Sequence, residues 1–297
     1  MDNIIEVLGL TRRFRGKPAV DQLNLAVPQG AIFALLGGNG AGKTTTIRML
    51  TGLLRPNAGR ATILGQDCWT AAAQLRHRVG YVPERPRFYD WMTVREIGWF
   101  TAGFHQAPFP ARYQELIQRF QLDPSARLQT LSKGQNAKVA LALALAPDPE
   151  VLILDEPTSG LDLFVRREFL ASMVDLAGQG RTILISSHQI TEVERVASHV
   201  AFMLQGRLLL SATMEELRRR IVRLQLRFET QPPDPAPLGT VLQRNGMGKQ
   251  WQVILKDPNP QAVAALRERE DVFDFEETPL GLEDIYAALL GPKEGQP

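Results

Sequence analysis

Two kinds of apolar run recur along the chain. Ala31-Ile-Phe-Ala-Leu-Leu36, Val151–Leu154, Thr182–Ile185 and Val200–Leu204 are continuous, the pattern of strands buried on both faces. From Ile4 to Val27 the runs are shorter and alternate with polar residues, which reads as strands separated by turns. Lys43 to Thr51 follows the first continuous run as a helix, and helical segments separate the others. Buried strands alternating with helices predict a mainly parallel sheet flanked by helices. Between Thr93 and Ala146 helical spacing dominates, so an inserted helical subdomain is expected at about 93–146.

The pattern changes near Arg218–Arg220. Beyond it Val222, Leu224, Leu226 and Phe228 alternate with Arg223, Gln225 and Arg227, a half-buried strand. A proline-rich turn follows, QPPDPAP at 231–237, and then a strand at Trp251–Leu255 and a helix at about 260–269. A strand at Val272–Phe275 and a helix at Leu282–Leu290 end the series. The expected division is therefore a body over residues 1–217 and a small C-terminal α+β appendage over 218–297.

Composition narrows the class without naming a function. Apolar residues make up 44% and charged residues 22% of 297, ordinary for a globular protein. A net charge of +2 carries no nucleic-acid footprint, so no nucleic-acid partner is expected. The single Cys68 excludes an internal disulfide and a cysteine-rich metal site, and it suits a reducing compartment. No run of about eighteen apolar residues occurs, and MDNIIEVLGL carries acids where a secretory signal carries base. A cytoplasmic location is expected.

The chemistry concentrates where the continuous runs end. Gly37-Gly38-Asn39-Gly40-Ala41-Gly42-Lys43-Thr44 fits G-x-x-x-x-G-K-[ST], directly after a buried strand and directly before a helix. The glycines let backbone N–H groups turn inward around phosphates, and the helix N-terminus adds partial positive charge. Lys43 is placed to reach the β- and γ-phosphates of ATP, and the Thr44 hydroxyl to ligate Mg²⁺. Val151-Leu-Ile-Leu-Asp155-Glu156 ends a second run in two acids. An acid at the end of a buried strand needs something to hold: Asp155 can hold Mg²⁺ through water, and Glu156 can accept a proton from the attacking water. The two motifs together define a P-loop NTPase. His188, in Ile-Ser-Ser-His, ends a third run and is placed to hydrogen-bond the γ-phosphate, whereas His77, His105 and His199 read as structural. Leu131-Ser132-Lys133-Gly134-Gln135 poses a different problem. It looks built to hold an anion at a helix start, yet one nucleotide needs only one phosphate loop.

With these residues placed, the chain over roughly 3–217 resembles the nucleotide-binding subunit of ABC transporters. LSKGQ matches that family's signature motif, Ser159-Gly-Leu-Asp162 the loop after the second acidic motif, His188 the switch histidine and Phe14 the aromatic that stacks adenine. The resemblance implies that Gly37 through Thr45 wrap the phosphates. It implies also that two subunits stack head to tail, each LSKGQ covering the partner's ATP through Ser132, Gly134 and Gln135, with Asp162 nearby. One departure stands out. In Gly80-Tyr-Val-Pro-Glu84 the family usually carries Gln, which contacts Mg²⁺ and the attacking water, where this chain has Glu84. A Glu can still coordinate Mg²⁺ but adds negative charge. It is similar to the branch pairing with ABC-2 type permeases, often exporters, and Gly281-Leu-Glu-Asp-Ile-Tyr286 is similar to the end of that branch's appendage. The implied partners are a second ATPase subunit, as a homodimer, and a separately encoded ABC-2 permease. They would make the chain peripheral at the cytoplasmic face of the inner membrane.

Two other classes compete with a transport ATPase. Translation factors of the ABC type usually hold two nucleotide domains, for which 297 residues are too few, and repair ATPases insert coiled coils that no heptads here support. A regulatory module with dead sites is disfavoured because Lys43, Asp155, Glu156 and His188 are all present.

Overall fold

A computed structural model describes residues 2–105, 108–229, 234–247 and 249–291. The chain opens with β1 (Asn3–Phe14), β2 (Lys17–Pro28), β3 (Ile32–Leu36) and α1 (Lys43–Leu50). β4 (Ala58–Ile63), β5 (Gln66–Asp67), a one-turn α2 (Ala72–Leu75) and β6 (Val79–Val82) lead to the helical stretch of α3 (Val94–Ala102), α4 (Phe109–Arg119) and α5 (Lys133–Leu145). β7 (Val151–Asp155), α6 (Leu163–Gly178), β8 (Thr182–Ser187), α7 (Ile190–Val193), β9 (His199–Leu204) and β10 (Arg207–Thr213) follow. The chain then forms α8 (Met214–Arg220), β11 (Ile221–Phe228), β12 (Thr240–Met247), β13 (Gln250–Lys256), α9 (Pro260–Arg267), β14 (Val272–Pro279) and α10 (Leu282–Leu290).

Three sheets organise these elements. β2-β1-β4-β5 is antiparallel. The central sheet runs β10-β9-β3-β8-β7-β6, and the pairings of β3 with β8 and β9, and of β7 with β6 and β8, are all parallel. The continuous runs and helical spacing imply the mainly parallel sheet and the helical insertion, and the antiparallel β subdomain beside them is that of the ABC ATPase fold which the resemblance implies. Every residue of β3, β7 and β8 is buried, as continuous apolar runs require. Their parallel register brings the ends of β3, β7 and β8 to one edge, where loops carry ligand chemistry in open α/β sheets. Helix α5, the Ala/Leu run, buries Val139 to Ala142, Ala144 and Leu145. Cys68 is almost fully buried, and burial together with the neighbouring Asp67 pushes its thiol up to about 12.

The chain divides into two compact units. One holds the residues up to Gln189 together with Arg195–Ser211, the other Ile190–Glu194 and the chain from Ala212 onward. A boundary at 217 falls inside α8, and α7 joins the second unit because Glu194 Oε2 accepts from Leu282 N at 3.3 Å at the start of α10. Within the second unit the antiparallel sheet β12-β13-β11-β14 buries Leu224, Leu226, Val253 and Leu255 against Val263 and Leu266 of α9. Of the proline-rich turn, residues 231–233 lie outside the described residues. No helix among the described residues is long and apolar enough to cross a membrane.

Candidate nucleotide site

The loop between β3 and α1 is shaped by what its neighbours exclude. Gly42 caps α1 at φ 104°, and a Cβ there would lie 2.6 Å from the Ala19 carbonyl oxygen, so both backbone and space demand glycine. Lys43 begins the helix and folds back over the loop. Its Nζ donates to the carbonyls of Gly37 at 2.7 Å and Gly38 at 3.2 Å, and it lies 3.0 Å from Glu156 Oε1. Lys43, Asp155 and Glu156 are all buried. A buried ammonium on a buried carboxylate is tolerable because each has hydrogen-bond partners.

Two strand ends supply the rest. Asp155, last residue of β7, accepts from Thr44 Oγ1 at 3.1 Å and from Ser186 Oγ at 2.7 Å. Burial outweighs these hydrogen bonds, and with Glu156 and Glu84 nearby its carboxyl is raised above the ordinary aspartate value. Glu156 sits at φ 48°, a left-handed backbone that costs a non-glycine residue about 1–3 kcal/mol. Its N–H donates to Ser186 Oγ at 2.9 Å, so one serine hydroxyl fixes both acids. Its Oε2 accepts from His188 N at 3.2 Å and lies 2.7 Å from His188 Nδ1. That contact places the imidazole proton on Nδ1 whenever Glu156 is ionised.

The four groups at three strand ends thus converge into one network, lining or lying beneath a cavity of about 610 Å³ that Asn39 to Thr45, Phe14, Glu84, Glu156 and His188 line. Arg12 stacks its guanidinium 4.8 Å from the centre of the half-exposed Phe14 ring, so the edge expected to meet adenine carries a cation. Reading the sequence alone missed Ser186 and Arg12. For Ser186 the signal was present, since two serines ending an apolar strand need partners for their hydroxyls. For Arg12 no local pattern distinguishes it from Arg13.

The signature residues are elsewhere. Ser132 caps α5 in a reciprocal box: its Oγ accepts from Gln135 N at 3.2 Å, and Gln135 Oε1 accepts from Ser132 N at 2.9 Å. Ser132, Gly134 and Gln135 do not line the phosphate-loop cavity. Asp162 caps α6, accepting from Phe164 N and Val165 N at 3.0 Å each, and it too is absent from that cavity. A second cavity, of about 830 Å³, runs from Glu84–Phe88 to Lys133, Asn136 and Ser159. Glu84, Arg85 and Ser159 line both.

A glycine-rich loop, a buried lysine and a strand-end Asp-Glu pair on a parallel sheet make this body a P-loop ATPase. Residues 20–159 match the ABC transporter family. The chain is 33% identical over 293 residues to the bacitracin transport ATP-binding protein BcrA of Bacillus licheniformis, covering 97% of this chain and 87% of that one. It is 33% identical over 300 residues to the Nod factor export ATP-binding protein I of Burkholderia lata, covering 97% of each. A probable multidrug ABC transporter ATP-binding protein of Escherichia coli, YbhF, is 34% identical over 222 residues, where this chain spans 38% of the relative. A solved ATP-binding subunit of an ABC transporter superposes with a TM-score of 0.67 at 29% identity, over 73% of this chain and 92% of that one. The chain belongs to the ABC transporter family, as an ATP-binding and ATP-hydrolysing subunit.

Proposed function

We propose that two copies of this chain close around two ATP molecules and drive export through a separately encoded ABC-2 type permease, peripherally at the inner membrane. The reading is supported most directly by Glu156, which holds Lys43 at 3.0 Å and His188 at 2.7 Å beside the phosphate-loop cavity, with Ser186 tying Asp155 to the same acid. In it, the backbone N–H groups of Asn39 to Thr45 hold the phosphates, and Lys43 leaves Glu156 for the γ-phosphate. Glu156 is thereby released to accept the proton of the attacking water, with His188 orienting the carboxylate through Nδ1. Phe14 carries the adenine ring.

The residues present fit Mg²⁺. Thr44 and Asp155 offer hard oxygen donors 3.1 Å apart, and Asp155 is a buried carboxylate whose charge calls for a cation. Few protein ligands suit a cation that keeps its waters and takes phosphate oxygens. When bound, Mg²⁺ would offset negative charge on the β- and γ-phosphates.

Export is supported by the name of the Nod factor export relative, transport by that of BcrA, and the ABC-2 partner by Glu84 in the place of Gln. The permease surface we assign to the aromatics after Glu84. Tyr89, Trp91, Trp99, Phe100 and Phe104 are all exposed, Trp91 at 65% and Trp99 at 79%. Four of them touch ring to ring, from Trp91 through Tyr89 and Phe100 to Phe104, with centroids 5.5–6.0 Å apart, and Trp99 precedes Phe100 on α3. A contiguous aromatic surface of that kind marks an interaction site.

The test of the ATPase assignment is Glu156→Gln. Nucleotide binding is expected to persist while turnover falls by about 10²–10⁴-fold, the contribution of a positioned base. Turnover at the parent rate would remove Glu156 from the reaction.

A further inference from the structure

Phe14 ends β1 at the tip of a hairpin. Arg15 and Gly16, at φ 49° and 82°, make the two-residue turn to Lys17, its antiparallel partner. The ring is 46% exposed, so packing alone does not fix it. Arg12 supplies the restraint. Its guanidinium lies 4.8 Å from the ring centre, yet Arg12 does not line the phosphate-loop cavity that Phe14 lines. The cation therefore covers one face of the ring and leaves the other to the cavity. Among the described residues the Arg12 Nε has no hydrogen-bond partner and no carboxylate lies within ion-pair reach, although Arg13 beside it faces Asp21 at 3.8 Å. A charge not spent on a carboxylate is free to act on the ring.

What holds Arg12 leads back to the phosphate helix. Arg12 Nη1 donates to the Arg55 carbonyl at 2.9 Å. Arg55 lies in the segment leaving α1, where Leu53 N and Leu54 N donate to the Arg48 carbonyl at 2.9 and 3.0 Å. Asn57 clamps that segment to β1: its N–H donates to the Thr11 carbonyl and its Oδ1 accepts from Arg13 N, at 2.8 Å each. Because α1 begins at Lys43, a continuous set of bonds joins the helix behind the phosphate loop to the ring at the hairpin tip.

We infer that Arg12 is a positioning residue for the nucleotide base, holding Phe14 at a fixed place relative to the phosphate loop. The inference rests on the reading that Phe14 carries the adenine ring. A half-exposed ring that must be ordered when the base arrives subtracts that ordering from the affinity. With Arg12 behind it, the ordering is complete before nucleotide binds. The cation also draws π-density to the rear face, which lessens the opposition between stacked π-clouds at the front. Arg12 therefore adds to binding of the nucleoside part and leaves binding of the phosphates unchanged.

The experiment titrates Mg-ADP into the full chain and repeats the titration with inorganic pyrophosphate, which has the phosphates and no base, as competitor. Arg12→Met, Arg12→Lys, Phe14→Ala and the double variant Arg12→Met with Phe14→Ala are compared with the parent, each with its melting temperature. Arg12→Met is expected to weaken ADP about three- to tenfold, the reach of a cation–π contact at a partly exposed site. Pyrophosphate affinity is expected to stay within about twofold and the melting temperature within about 2 °C. Arg12→Lys, which keeps the charge, is expected to recover part of the loss. In the Phe14→Ala background Arg12→Met is expected to cost less than about twofold more, because Arg12 acts through the ring. ADP affinity unchanged in Arg12→Met but lowered in Phe14→Ala overturns the inference and leaves the adenine reading standing. ADP affinity unchanged in Phe14→Ala removes that reading and the inference with it. Equal losses for ADP and pyrophosphate would assign Arg12 to the fold or to the phosphates, and a full loss without the ring would assign it to the base directly; either overturns the positioning role.

Discussion

The phosphate loop and the signature loop, which we propose to meet at one ATP, both stand at helix N-termini, but they are built to opposite plans. At the phosphate loop the chain satisfies itself. Lys43 takes three partners, Asp155 two hydroxyls and Glu156 both Lys43 and His188, with Lys43 and the two acids buried and His188 exposed. At the signature loop the hydrogen bonds are strictly local: Ser132 and Gln135 answer each other, and both side chains remain exposed. A site closed within one chain can be prepared before its ligand arrives, while a site shared with another molecule must present its donors outward. The Ser132 hydroxyl accepts from Gln135 N and so still has its own proton to give. Closure within one half and openness in the other is what two halves of a composite site require.

The sharpest way to break that comparison is a mixed dimer. One subunit carries Ser132→Arg and the other Lys43→Ala. If each signature loop serves its own chain, both sites are damaged; if it serves the partner, both lesions fall in one site and the other is intact. One occluded ATP per dimer is expected, against none when both lesions sit in a single subunit. Arg is chosen for bulk, because losing one hydroxyl costs only about 0.5–1.5 kcal/mol. Lys43→Ala also breaks a buried ion pair, so assembly must be verified in each case. One occluded ATP only when both lesions sit in a single subunit would show that the signature loop acts in its own chain, and equal failure of two well-assembled dimers would defeat the partner reading.

A smaller effect is expected at the aromatic surface. Trp91→Ala with Trp99→Ala removes two exposed side chains, so the melting temperature is expected to move by less than about 2 °C. Binding to membranes containing the permease is expected to weaken tenfold or more. A melting temperature lowered by many degrees with membrane capture intact would make these residues part of the fold.

Legibility differed between the two units and between the two halves of the site. Strands β3, β7 and β8 announced themselves because burial on both faces forces continuous apolar runs. β4 did not: Ala58-Gly-Arg-Ala-Thr-Ile63 has three exposed residues and is held as a strand by pairing with β1. β12 was missed for the same reason, since Thr240-Val-Leu-Gln-Arg-Asn is polar and takes its conformation from β13. The phosphate loop was legible as a motif because glycine positions encode backbone shape. The serines ending β8 signalled that their hydroxyls need partners, but not that Asp155 is the partner of Ser186, because the bridge joins residues thirty-one apart through a sheet register that no local window contains. Ile190–Glu194 belongs to the second unit by a tertiary contact alone.

Acid provides the next test, within the closed half. A buried carboxyl raised above its usual value takes up a proton as pH falls, and the protonated form cannot hold a cation. Apparent Mg²⁺ affinity in the nucleotide complex is therefore expected to weaken on acidification, starting above the pH at which an exposed aspartate would titrate. For the folded protein without ligand the sign is opposite. Because the folded Asp155 binds its proton more tightly than the unfolded one, this group's contribution to stability rises as pH falls through that window. Asp155→Asn should abolish both effects, and calorimetric Mg²⁺ titration at three pH values would show it. An affinity independent of pH in the parent would mean that Asp155 is not the titrating ligand.

The smallest expected effect concerns Glu84, and it bears on the one residue where the closed half departs from family habit. Glu84 lines both cavities and is one of the charges holding Asp155 above its ordinary value, though the weakest after burial and Glu156. Glu84→Gln keeps the shape and removes the charge. ATP affinity is expected to stay the same or tighten modestly, more so at low Mg²⁺, where less cation offsets the carboxylate. The acid midpoint of Mg²⁺ binding should also move to lower pH, because one of the charges raising Asp155 has gone, and by less than the shift that burial causes. The two readouts are linked by sign: tighter ATP with an unmoved midpoint would place Glu84 near the phosphates but electrically remote from Asp155. Weaker Mg²⁺-dependent binding would be the opposite result, making Glu84 a metal ligand in its own right. The acid would then belong to the site's chemistry, and its charge would be an asset to the closed half instead of a burden on it.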